Sequence, residues 1–98
     1  MTPEEERIRA EQAKRLLNDP LMAGALQDIK DTLIDQWRRT PVKDADLRER
    51  VWGIYGAASK FEELLRSYIN TGKFAESVLA QEEQARSLFQ RAMGKFMP

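Results

Sequence analysis

Between residues 47 and 68 the apolar side chains recur at Leu47, Val51, Ile54, Ala58, Phe61, Leu65 and Tyr68, at spacings of 4, 3, 4, 3, 4 and 3. An α-helix gathers such positions on one side, because about 3.6 residues complete a turn; a strand would scatter them over both faces. A seam of this length must be buried against another helix. The preceding segment offers a matching one in Met22, Leu26, Ile29 and Leu33, with Trp37 on its flank. The connection between the two is short, so the expected core is an antiparallel helical hairpin of about 20–39 and about 44–70. No segment alternates with period two, and the sequence predicts an all-α chain.

Local punctuation sets the helix starts. Thr2-Pro3, Asp19-Pro20 and Thr40-Pro41 each pair an N-cap side chain with a proline. The cap accepts a hydrogen bond from an unpaired first-turn N–H, and proline at the first position loses no bond. Glu5, three residues after Thr2, completes a capping-box pattern. A first helix over 3–17 follows, with only Ile8, Leu16 and Leu17 as large apolar residues, and it reads as polar and peripheral. Gly72 reads as a left-handed C-terminal cap ending the third helix. A fourth helix over about 73–93 then carries a stripe of Phe74, Val78, Ala85, Leu88, Phe89 and Ala92, interrupted by Gln81 and Glu82, and is expected to cover the hairpin, with Gly94 beginning its frayed end. The organisation expected is one domain, 1–98: a peripheral helix in 1–18, the core hairpin in 19–72, and a C-terminal helix with an apolar tail in 73–98.

Composition removes whole classes of chemistry. Sixteen basic residues balance sixteen acidic ones, so no net field draws the chain to nucleic acid or an anionic membrane. Cysteine and histidine are both absent, which removes the thiolate nucleophile, the disulfide framework and the commonest general base. The acidic start MTPEEERIRAEQ does not resemble a signal peptide, and no run approaches the ~18 apolar residues of a membrane span. The chain is expected to be neither secreted nor transmembrane.

Candidate sites are few. The stretch WRRTPVKDADLRERVW, 37–52, holds both tryptophans and five basic residues, Arg38, Arg39, Lys43, Arg48 and Arg50, but Asp44, Asp46 and Glu49 dilute the charge. Phosphate-driven binding needs a sustained basic face, so the stretch reads chiefly as a turn, closed by Trp37. Trp52 falls opposite the seam, beside Arg48 and Tyr55; either another helix covers it or a partner does. Gly53, Gly56, Ala57 and Ala58 suggest close approach of another backbone, because each glycine costs about 1 kcal/mol in a helix. Asp28, Asp31 and Asp35, with Glu62 and Glu63, lack calcium-loop spacing and read as solvated faces. Ser59, Ser67, Ser77 and Ser87 have no histidine base, leaving no catalytic constellation. The tail FQRAMGKFMP brings Phe89, Met93, Phe96 and Met97 together with Arg91 and Lys95, and either folds back or docks onto a partner.

Over about residues 16–75 the chain resembles a family of small helical proteins of tailed phages and prophages. The matching features are LL-x-DPL at 16–21, W-R-x-T at 37–40, D-x-x-x-RE at 44–49, the aromatic Trp52, and L-R followed by G-K at 72–73. Genes of that family lie near head-assembly genes such as portal and capsid. The resemblance implies a role in virion head or head–tail assembly, in the host cytoplasm, in the virion, or both, and brings no catalytic residue or cofactor with it. The reading is therefore a non-enzymatic protein that binds a phage structural protein or a second copy of itself. It takes no cofactor, metal, membrane or small-molecule substrate. Its partner-binding candidates are Arg48, Trp52, Tyr55, Phe89, Arg91, Met93 and Phe96. Two alternatives stay open: a DNA-binding packaging accessory acting through Arg38, Arg39, Lys43, Arg48 and Arg50, and a small inhibitor of a host or defence protein.

Overall fold

The computed structural model describes the backbone of residues 1–96 and the side chains of residues 1–94. Three helices make up the described chain, and no strand is present among its residues: α1 (Pro3–Asn18), α2 (Pro20–Arg39) and α3 (Ala45–Phe96). The all-α class follows the sequence. Both early proline signals act as expected. Thr2 and Glu5 close a reciprocal capping box on α1. One Asp19 oxygen accepts from the Leu21 and Met22 amides at 2.8 and 3.0 Å, while the Asp19 N–H donates to the Leu16 carbonyl. A single extended residue thus ends α1 and starts α2.

The arm made of α1 and α2 runs antiparallel along α3. Four contacts track it: Arg48 reaches the Thr40 carbonyl at 2.9 Å, Lys30 pairs with Glu62 at 2.9 Å, the Arg9 guanidinium lies 4.0 Å over the Tyr68 ring, and Ala10 abuts Gly72. The result is a rod with extents of 84 × 25 × 15 Å and a radius of gyration of 22.8 Å. A compact domain of this length would have a radius near 13 Å.

Three differences from the sequence reading share one cause, which is where small and charged residues sit. First, Gly72 does not cap anything. No glycine has positive φ, and α3 runs straight through the expected break for 52 residues. The segments read as third and fourth helices are one, and Gly94 lies inside it. Gly72 is buried, and a methyl group built on it would overlap the Ala10 methyl. Second, α1 is no peripheral element. Ala10 and Ala13 are buried, Ala10 against Gly72 of α3, while Ile8 and Leu16 stay exposed. Alanine and glycine permit close helix approach, so this contact carries little of the side-chain volume by which a core is usually found.

Third, the seam on α3 is turned. The line of covered positions runs through Val51, Tyr55, Ala58, Glu62, Leu65, Ile69 and Gly72, again at spacings of 4 and 3, and Tyr68 beside it is half-buried under Arg9, as the seam expected. The line shares every second position with the expected seam. Leu65 is only 7% exposed, as expected, but Ile54 is 56% exposed, and Leu47 and Phe61 are also open. On α2, Leu26 and Leu33 are buried but Ile29 is exposed, and Lys30 takes its place at the interface by pairing with Glu62. Glu62 is therefore not part of a solvated face. Gly53 and Gly56 have nothing within 4 Å of where a side chain would begin, so the close backbone approach expected there occurs at Gly72 instead.

The core is thin. Its buried apolar residues are Ala10, Ala13, Leu26, Leu33, Val51, Leu65 and Ala75, and three of the seven are alanine. Among the described residues nothing lies opposite α3 beyond Leu79: from Ala80 to Gly94 every side chain except Ser87 is exposed. At about 1.5 Å per residue this uncovered arm projects more than ~20 Å. The cover that this segment was expected to give the hairpin is absent, and its stripe faces outward.

Candidate partner-binding surface

The turn between α2 and α3 is a built structure. Thr40, buried, donates its hydroxyl hydrogen to the Gln36 carbonyl at 2.7 Å, and its amide is shared between the Gln36 and Trp37 carbonyls. One Arg48 nitrogen donates to the Thr40 carbonyl at 2.9 Å and to the Trp37 carbonyl at 3.4 Å. These are the orphan carbonyls at the end of a helix, where a cation is also favoured by the helix dipole. The same guanidinium lies 3.9 Å from the Trp37 ring centroid. Arg48 therefore closes the hairpin by hydrogen bonding and by cation–π attraction together.

Around this clasp three aromatic rings line up. Trp37 and Trp52 are 6.3 Å apart between centroids and tilted at 49°; Trp52 and Tyr55 are 5.6 Å apart and nearly parallel at 13°. Trp52 is 62% exposed. Among the described residues no helix covers it, so the cover by another helix that the sequence allowed is absent. Leu33, Ile34, Val51 and the three rings wall a shallow, almost wholly apolar cleft with Arg38 at its edge. A second, more open concavity, lined by Val42, Ala45, Arg48 and Glu49, shares Trp37 and Trp52 with the first.

The remaining candidates lie elsewhere. Phe89, Arg91 and Met93 are exposed on the projecting arm of α3, some 55 Å along the helix from Trp52. The structure therefore splits the expected set of partner residues between two distant places. The side chains of Lys95 and Phe96, and all of Met97, fall outside the described residues.

The five basic residues of the DNA-binding alternative do not make one face. Arg48 is engaged in the clasp, Arg39 pairs with Asp35 at 3.0 Å, Arg38 edges the apolar cleft, and Arg50 sits with Asp46 and Glu49. Lys43 is exposed in the loop. Among the described residues, Asp28, Asp31 and Asp35 join no group of three or more potential metal ligands. No described helix is long and apolar enough to cross a membrane.

Sequence reasoning missed the Lys30–Glu62 ion pair and the Arg9–Tyr68 stack. Both join the two arms of the hairpin. The signal available was a basic residue on each of α1 and α2 at positions continuing the apolar period, with an acid or an aromatic at the antiparallel register on α3.

Comparison with known proteins gives no match: no protein-family model, no characterised relative and no solved structure aligns with the chain.

Proposed function

We propose that this chain is a non-enzymatic binding protein that engages another protein through the aromatic end of its hairpin, in the assembly of a phage head or head–tail junction. The supporting observation is the Trp52–Tyr55 stack, a large ordered aromatic surface left open beside an apolar cleft. Tryptophan, tyrosine and arginine are the residues that dominate binding energy at interfaces, and they do so when held rigidly around a desolvated pocket. Here Trp37 is fixed by Arg48, and Arg48 by two carbonyls, so little side-chain entropy remains to be lost on docking. Without histidine or cysteine, and with Glu62 already paired to Lys30, the chain has little equipment for proton transfer or covalent catalysis. The phage setting rests on the resemblance over residues 16–75.

The test uses purified chain and the portal and capsid proteins of a tailed phage, the partners that the resemblance implies. Calorimetry is expected to detect binding to one of them and to lose it on Trp52→Ala, while circular dichroism stays unchanged. The chain is also expected to travel with purified particles or their assembly intermediates by mass spectrometry. Absence from both, together with no binding to either protein, would overturn the reading.

A further inference from the structure

A different part of the molecule points to a second interaction. The solvent-accessible surface is 7845 Å². A folded monomer of 11.3 kDa ordinarily exposes about 5,700 Å², so this chain shows roughly 2,100 Å² more than its mass requires. A standard interface takes only about 800 Å² from each partner. Part of the exposed apolar surface lies on the far half of α3. There Phe74, Val78, Ala85, Leu88 and Ala92 continue a stripe, with Phe89 beside it; Phe74 is 71% and Phe89 66% exposed.

We propose that this arm pairs with the same arm of a second copy, antiparallel and crossing near Ala85. Two features select that occupant and that direction. From Phe74 to Gly94 the charges are segregated: Glu76, Glu82 and Glu83 precede Ala85, while Arg86 and Arg91 follow it. An antiparallel second copy lays the acidic half of each arm against the basic half of the other. A parallel copy sets like against like, which disfavours that register. The residue at the crossing is small, so the two backbones can approach closely there. The Arg86–Glu83 ion pair within one arm, at 3.6 Å and well exposed, contributes little and is easily exchanged for a partner's charge.

The pairing does not rest on the proposed role of the aromatic end, and it gives that end a geometry. Trp52 lies some 50 Å from the crossing on each copy, so the dimer is a spacer carrying two aromatic ends roughly 100 Å apart.

Sedimentation and single-cysteine cross-linking test this on the full chain, which contains no cysteine of its own. The unaltered protein is expected to sediment as a dimer. Glu82→Lys with Glu83→Lys is expected to weaken dimerisation at least ~10-fold, and mixing that variant with Arg86→Glu/Arg91→Glu to restore association. The altered residues lie on the uncovered arm, so circular dichroism is expected to show the hairpin intact. Crossing at Ala85 places Val78 of one copy opposite Ala92 of the other. Val78→Cys and Ala92→Cys proteins are therefore expected to cross-link when mixed, and neither with itself. A monomer at every concentration, or Val78→Cys cross-linking to itself without the second variant, would overturn the proposal. Neither result depends on whether Trp52 binds anything.

Discussion

Gly72→Ala isolates the contact that turns this chain into a hairpin. A methyl group at Gly72 would overlap the Ala10 methyl and lie 3.3 Å from the Glu6 carbonyl oxygen and 3.6 Å from the Ala10 Cα. None of these atoms can rotate aside, because all belong to the α1 backbone or are bonded directly to it. The helix must therefore retreat as a body, by on the order of 1 Å, and a gap of that size forfeits a quarter to a half of each dispersion contact along it. Overpacking of this kind costs about 1–3 kcal/mol. Against it stands the gain of replacing glycine by alanine in a helix interior, about 1 kcal/mol. The net expectation is a destabilisation of about 0–2 kcal/mol. Gly53 and Gly56 provide the control, since a methyl group there meets nothing within 4 Å. Gly53→Ala and Gly56→Ala are each expected to stabilise by about 0.5–1 kcal/mol. The same chemical change thus has opposite signs at positions in one helix. Urea denaturation followed by circular dichroism measures it, at one fixed protein concentration so that self-association cannot shift the result. Adding Ala10→Gly to Gly72→Ala should recover part of the loss. If Gly72→Ala proved as stabilising as Gly56→Ala, the close approach of α1 to α3 would be refuted.

The other expectations concern the core, the aromatic end and the N-terminus. Leu65→Ala, in the thin seam, should cost about 2–3 kcal/mol in the same denaturation experiment, whereas Ile54→Ala on the open flank should cost under about 1 kcal/mol. Trp52→Ala should leave folding within about 1 kcal/mol of the unaltered chain, because most of the indole is already in water; a larger loss would make Trp52 a core residue. At the start of α1, hydrogen bonds from the Thr2 hydroxyl and backbone N–H hold the Glu5 carboxyl below the usual carboxylate range. The Arg7 hydrogen bond does the same for Glu4, only partly opposed by desolvation. A carboxylate whose folded value is depressed contributes stability above its ordinary range and loses it as pH falls through the folded value. Protection of the amides at the first turn of α1, taken relative to their intrinsic exchange rate at each pH, should therefore fall at acid pH, and equal protection at neutral and acid pH would contradict the role of the capping box.

The first two helix starts, the break at Asp19 and the all-α class were legible in the sequence because each depends on chemistry within a few residues: a side-chain oxygen within reach of two amides, a proline with no N–H to lose, a period of 3.6. The third signal, Thr40-Pro41, is not a helix start: Thr40 caps the end of α2 by donating back to Gln36, and α3 begins at Ala45. The hairpin itself was also legible, since two apolar seams joined by a short loop have few other ways to meet. Which face of each helix turned inward was not. Leu47, Ile54 and Phe61 satisfy the same 4–3 spacing as Tyr55, Glu62 and Ile69, and hydrophobicity alone favours the first set. The structure took the second, where Glu62 meets Lys30 and Tyr55 stacks on Trp52. Gly72 shows the limit most clearly: a glycine between helical segments is a cap if φ turns positive and a packing site if another backbone lies against it. That choice depends on Ala10, 62 positions earlier in the chain, and local propensity carries no information about a contact so remote. For the same reason the aromatic end appeared in the sequence only as residues near a turn. Arg48 had to reach back to the carbonyls of Trp37 and Thr40 before the open face of Trp52 acquired a fixed place.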